Sequence, residues 1–99
     1  MKIGIDIVHI ERVEKLLKDG AQLSAVFSPD EVVDDVRTMA GRFAAKEAYF
    51  KAHQEKGDWK SIIVRKSASG APYLICPENN VSLSISHDGE YAIAAVVIY

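Results

Sequence analysis

From Lys2 to Val8 the chain alternates, with Ile3, Ile5 and Ile7 on one side and Gly4, Asp6 and Val8 on the other. A period of two with several β-branched residues predicts a strand. The period then changes. Ile10, Val13, Leu16 and Leu17 recur at helical spacing between His9 and Lys18, so a short amphipathic helix is expected there, closed by Asp19-Gly20. Phe27-Ser28-Pro29-Asp30-Glu31 reads as a helix start. Ser28 is the N-cap, Pro29 takes the first position and Glu31 completes a capping box. That helix would carry Val32, Val33 and Val36 and run to Met39. The pattern favours a break near Thr38 to Gly41, with one bent helix as the alternative.

Gly41 to Ala52 is the centre of the chain. It holds no proline, and Ala44, Ala45, Ala48 and Ala52 form a small-residue face, so a helix is expected that another backbone can approach closely. Phe43, Glu47, Phe50 and Lys51 fall on a different side. The helix fades in the polar stretch from His53 to Asp58. Ile62 to Arg65 and Pro72 to Cys76 read as strands around a turn at Ser67 to Gly70, with Pro72 at a first position where it is tolerated. Val81 to His87 alternates cleanly against Ser82, Ser84 and Ser86. Asp88-Gly89 is a hairpin signal, and Tyr91 to Ile98 is apolar on both faces, which marks a central or interface strand. About three helices and five strands give a single α+β domain, residues 1–99, with a largely antiparallel sheet and a long central helix.

Composition narrows the function. The chain has 99 residues, a net charge of -2 and one cysteine. That balance gives no general attraction to nucleic acid or anionic membranes. A lone cysteine excludes an internal disulfide and fits a reducing cytosol. The N-terminus lacks the apolar segment of a secretory signal, and no apolar run is long enough to span a membrane. There is no Cys pair and no His-x-x-x-His, which argues against zinc. There is no Gly-x-Ser-x-Gly elbow and no Walker A loop. Ser84 and Ser86 cannot relay to His87 within one strand, because adjacent strand residues point to opposite faces.

Asp6 and Glu47 remain as hard oxygen ligands, the type Mg²⁺ takes together with water and substrate phosphates. Asp6 fits either that role or a solvated face. Arg42, Lys46 and Lys51 could supply charge to phosphates; the plainer reading is a solvated face with Glu47 and Lys51 as a surface i,i+4 pair. Arg12 and Lys15 make a small basic surface on the first helix. His87 fits a structural or a functional histidine, and Cys76 a small core residue. Residue patterns reach a small cytosolic α+β domain with a candidate Mg²⁺–phosphate site.

Three stretches add more: Gly4-Ile5-Asp6-Ile7-Val8, Gly41-Arg42-Phe43-Ala44-Ala45-Lys46-Glu47-Ala48 and Ser84-Ile85-Ser86-His87. In this order they resemble the holo-(acyl-carrier-protein) synthases, the short bacterial branch of the 4′-phosphopantetheinyl transferases. The resemblance implies transfer of 4′-phosphopantetheine from coenzyme A to a serine of apo acyl carrier protein, with release of adenosine 3′,5′-bisphosphate. It implies cytoplasmic homotrimers with active sites between subunits. It makes Asp6 and Glu47 the Mg²⁺ ligands and places Arg42, Lys51 and His87 on coenzyme A phosphates. Lys46 matches the motif lysine, and Arg12, with Lys15, matches the surface that meets the acidic carrier protein. Glu47 is the preferred base, with Asp6 or an ordered water as the alternative. The chain is shorter than most of that family, and His53 to Asp58 stands where the family often has a Gly-Thr-Gly-like loop. Two other readings are a non-catalytic oligomeric interaction domain of the same fold and a metal-dependent nucleotide hydrolase.

Overall fold

The computed structural model describes residues 1–99. Strand β1 spans Lys2–His9 and runs directly into helix α1, Ile10–Leu17. Helix α2 follows at Gly20–Val26, then a 3-10 turn at Pro29–Glu31 and the long helix α3 at Val36–His53. A second 3-10 turn, Trp59–Ser61, leads to β2 (Ile63–Lys66), β3 (Pro72–Ile75), β4 (Val81–Asp88) and β5 (Tyr91–Ile98). All pairings are antiparallel. One sheet has the order β1-β5-β4, and β2 and β3 form a separate two-stranded ribbon.

Two helical boundaries differ from the expectation. Asp19-Gly20 does not simply end α1; it starts α2, because the Asp19 carboxylate accepts hydrogen bonds from Ala21 N at 3.1 Å and Gln22 N at 3.2 Å. The helix expected from Ser28 to Met39 stops after one 3-10 turn. The break lies at Val32 to Asp35 rather than at Thr38 to Gly41. Two adjacent valines favour extended backbone there, and Asp35 opens α3 instead, accepting from Arg37 N at 3.1 Å and from the Thr38 hydroxyl at 2.8 Å. From that cap α3 runs unbroken through Gly41.

The alanine face of α3 does what its small residues permit. Ala44, Ala45, Ala48 and Ala52 are buried in the core. β1 lies so close that a Cβ on Gly4 would sit 1.9 Å from Ala48 O and 2.6 Å from Ala52 N. Gly41 gives the same access to β4, since a Cβ there would meet Ile85 Cγ2 at 2.8 Å. The sheet therefore packs on α3 through Gly4, Val8, Ala92, Ala94 and Val96, all buried.

The other face of the sheet is uncovered. Ile3, Ile5 and Ile7 are 69%, 58% and 61% exposed. They pair across β1 and β5 with Val97, Ala95 and Ile93, which are only half-buried. β5 is thus the central strand, with one face in the core and one apolar face turned outward.

Candidate active site

Gly4 fixes β1 against α3, so Asp6, two residues further on the same strand face, is also directed at the helix. Its carboxylate accepts a hydrogen bond from Lys51 Nζ at 3.0 Å. The Asp6 side chain is mostly covered, whereas Lys51 is more than half exposed. Glu47 stands one turn before Lys51. It makes no ion pair, so the expected Glu47–Lys51 surface pair is not formed; Lys51 reaches across to β1 instead. Glu47 is half-buried and opens on a cavity of about 100 Å³ with Phe50, Lys56, Gly57 and Trp59. Gly57 is needed in that wall, since a Cβ would press on the Phe50 ring at 2.8 Å.

No group of three or more His, Cys, Asp or Glu side chains is placed to hold a metal ion. Two carboxylates are nevertheless the donor set that Mg²⁺ takes when substrate phosphate and water supply the rest. Lys51 already neutralises one Asp6 oxygen, so a cation here would share Asp6 with that lysine and draw its remaining charge from Glu47, which no ion pair occupies.

A second site lies towards the other end of α3. Arg42, Arg65, Lys66 and His87 line a cleft of about 170 Å³ whose remaining walls include Thr38, Pro72 and Ile85. His87 is anchored, its Nε2 donating to Arg37 O at 2.8 Å. The Arg42 guanidinium donates to the carbonyl of Glu31, and Arg65 pairs with Asp30. Three cations and an imidazole converge here with only the Asp30 carboxylate against them, which makes the cleft a candidate anion site.

Architecture and chemistry together prompt comparison with known proteins. Residues 2–96 match the family model of the 4′-phosphopantetheinyl transferase superfamily. The chain belongs to this superfamily. It is 38% identical to the holo-(acyl-carrier-protein) synthase of Chlorobium chlorochromatii, covering 99% of both chains. It is 42% identical to that of Sulfurimonas denitrificans, covering 97% of this chain and 93% of the relative. The crystal structure of the Helicobacter pylori holo-(acyl-carrier-protein) synthase in complex with coenzyme A superposes with a TM-score of 0.90 at 38% identity, over 98% of this chain and 99% of that one. The Bacillus anthracis enzyme in complex with CoA (3′,5′-ADP) gives 0.84 at 36% identity, over 96% and 92%.

Within this transferase frame the expected residues separate into three sets. Asp6 and Lys51 meet where β1 packs on the second half of α3, and Glu47, one turn earlier on that helix, opens on the cavity beside Trp59. Arg42 and His87 gather at the basic cleft. Lys46 belongs to neither, and the expectation that it could supply charge to phosphates is corrected. It is fully buried, and its three protons go to Glu31 Oε1 at 2.8 Å, Val26 O at 2.7 Å and Trp59 O at 3.0 Å. Burial lowers its pKa, while the Glu31 carboxylate works in the opposite direction. Arg12 lies over the Phe43 ring at 5.7 Å, and Lys15 pairs with Glu11 at 3.5 Å, both on the outer surface of α1.

The sequence reading missed Arg65 and Lys66. It treated Arg65 as the end of a strand and gave Lys66 no part, although two consecutive cations before a glycine turn are a usable signal. It also missed Tyr49, whose hydroxyl donates to Glu78 at 2.7 Å, and His53, whose Nε2 lies 3.0 Å from the other Glu78 oxygen. The Tyr49 hydrogen bond fastens the end of α3 to the loop before β4, while His53 Nε2 lies close to Glu78 without a hydrogen bond to it.

Proposed function

We propose that this chain transfers 4′-phosphopantetheine from coenzyme A to a serine of an apo acyl carrier protein. The reading is carried by one observation: a basic cleft shares its helix with Glu47, a half-buried carboxylate that no protein cation neutralises. The first suits the phosphates of a nucleotide, and the second suits a metal or a proton. The Helicobacter pylori and Bacillus anthracis relatives, solved with coenzyme A, support the same substrate here.

Asp6 and Glu47 would hold Mg²⁺, which when bound would neutralise charge growing on the leaving phosphate. Arg42 and His87, with Arg65 and Lys66, would hold the phosphates of the nucleotide end. Lys51 would bring its charge to the pyrophosphate. The carrier-protein serine oxygen forms a bond to phosphorus as the bond to the departing adenosine 3′,5′-bisphosphate breaks. Its proton goes to Glu47, with Asp6 or an ordered water as the alternative acceptor. Phosphoryl transfer of this kind rests on positioning and charge, so the chain needs no nucleophile of its own. Arg12 and Lys15 on α1 would receive the acidic carrier protein. A cytoplasmic setting is part of this reading.

The working unit in this proposal is a homotrimer with sites between subunits. Arg42 and Lys51 are nine residues apart on α3, roughly 13 Å along its axis. The uncovered Ile3, Ile5 and Ile7 face has the character of an interface rather than of a solvated sheet. A neighbour seated on that face would let one subunit's cleft serve another's carboxylates.

Incubating the protein with coenzyme A, Mg²⁺ and apo carrier protein, and weighing the carrier protein, tests the activity. A gain of one phosphopantetheine mass is expected. No gain would refute the transferase and favour an interaction domain, and cleavage of coenzyme A without carrier protein would favour a hydrolase. Light scattering of Ile5→Lys tests the assembly: the parent should be trimeric and the variant monomeric. A monomeric parent with full transfer activity would end the inter-subunit proposal.

A further inference from the structure

Glu31 lies outside every residue set assigned so far, yet it touches both walls of the basic cleft. It is 1% exposed. Its Oε1 accepts from Lys46 Nζ at 2.8 Å and from Ser28 N at 3.0 Å, and its Oε2 accepts from Val64 N at 2.9 Å. Its own carbonyl accepts from the Arg42 guanidinium. One residue therefore grips α3 through Lys46 and Arg42 and grips β2 through Val64. Asp30, its neighbour in the same 3-10 turn, pairs with Arg65, the residue after Val64. The β2–β3 ribbon is not hydrogen-bonded to the main sheet, so its position relative to α3 depends on bonds of this kind.

A buried carboxylate with a cation and two backbone donors has one low-energy arrangement, because any shift leaves a charge or an N–H unpaired. That arrangement fixes the turn, and the fixed turn aims its carbonyl at Arg42 and its Asp30 side chain at Arg65. We infer that Glu31, locked by Lys46, is a positioning residue that sets the spacing of Arg42 and Arg65 for the phosphates of the bound nucleotide. The inference rests on the proposed coenzyme A reading of the cleft and assigns the part of the molecule that shapes it.

The test uses full-length protein and adenosine 3′,5′-bisphosphate as the probe, measured by calorimetry without the transfer reaction. Glu31→Gln keeps the shape but removes the charge that fixes Lys46. It should bind the bisphosphate about tenfold more weakly, the scale of one charge-assisted hydrogen bond lost. In the transfer assay KM for coenzyme A should rise by a similar factor with kcat unchanged. A purely structural role would instead lower the active fraction and leave KM alone. The double variant Glu31→Gln with Lys46→Met guards against a folding artefact, since it leaves no charge unpaired in the core while the glutamine oxygen can still accept from a backbone N–H. It should melt near the parent temperature and still bind weakly. If both variants bind the bisphosphate as the parent does, the positioning inference is overturned while the coenzyme A reading stands. If the parent itself does not bind, the coenzyme A reading fails and this inference falls with it.

Discussion

Lys46 and Lys51 are five residues apart on one helix, and their surroundings have little in common. Lys46 is sealed in the core, and every proton it carries has a protein acceptor. Lys51 reaches over the surface to Asp6 and remains more than half exposed. Around the first lysine every polar group is satisfied, and a ligand would find nothing to bind. Around the second stands Glu47, half-buried and unpaired, with Lys56 on the same cavity and likewise in no ion pair. Charge closed on itself holds a structure together. Charge with valence to spare is where a substrate or a metal can be bound. Two lysines of one helix thus fall on opposite sides of the division between scaffold and candidate site.

Three experiments press on that division. The largest effect belongs to the closed cluster. Lys46→Ala strands the Glu31 carboxylate in the core and should cost about 3–5 kcal/mol of stability, read as a shift in urea midpoint. Lys51→Ala should stay within about 1 kcal/mol, because the lysine end of its ion pair is solvated and water can reach the place it leaves. Equal losses from the two would erase the contrast. Glu47→Gln comes next and separates site from scaffold by activity. Transfer to the carrier protein should fall roughly 100- to 1000-fold, the scale of losing a group aimed at transition-state charge. Its melting curve should match the parent, since Glu47 supports no other side chain. A variant with parent-like transfer would remove Glu47 from the site.

The smallest effect concerns the Tyr49–Glu78–His53 trio at the end of α3. Burial would raise the Glu78 pKa, but the Tyr49 hydroxyl, its own backbone N–H and His53 outweigh it, and the net shift is downward from 4.5. A carboxylate with a depressed folded pKa adds stability above its unfolded value and loses it as pH falls through the folded one. Stability should therefore drop below about pH 4.5, and Glu78→Gln should flatten that drop by less than about 1 kcal/mol. An unchanged acid limb in the variant would show that the trio is not what titrates there.

Much of the fold was legible because it is local. The alternation of β1 and β4, the Asp88-Gly89 hairpin and the alanine-rich core of α3 each follow from periods of two or 3.6 and from turn chemistry. The small face of α3 correctly implied close backbone contact, and Gly4 supplies it. The helical boundaries were less legible, because Asp19 and Asp35 each suit an end or a beginning, and only the chain path decides which. The site was legible where motif residues face a common space, as Arg42 and His87 do. It was misread at Lys46, since exposure is not a property of a helix face alone. Its acceptors come from residues 26, 31 and 59, and no local pattern brings them together.

The alternation of β1 carries a similar lesson. By itself the sequence determined that Ile3, Ile5 and Ile7 share one face, because a pleated strand allows nothing else. It did not determine which face would enter the core. The tertiary structure chose the side of Gly4, Asp6 and Val8, since only a residue without a side chain fits 1.9 Å from the helix backbone. That choice turned three isoleucines outward and directed Asp6 at α3. In the same way the sequence determined a cap at Ser28 and Glu31 from short-range hydrogen bonding. That Glu31 would also grip Lys46 and Val64 was decided only when distant segments closed around it, because a buried carboxylate must find partners wherever the fold supplies them.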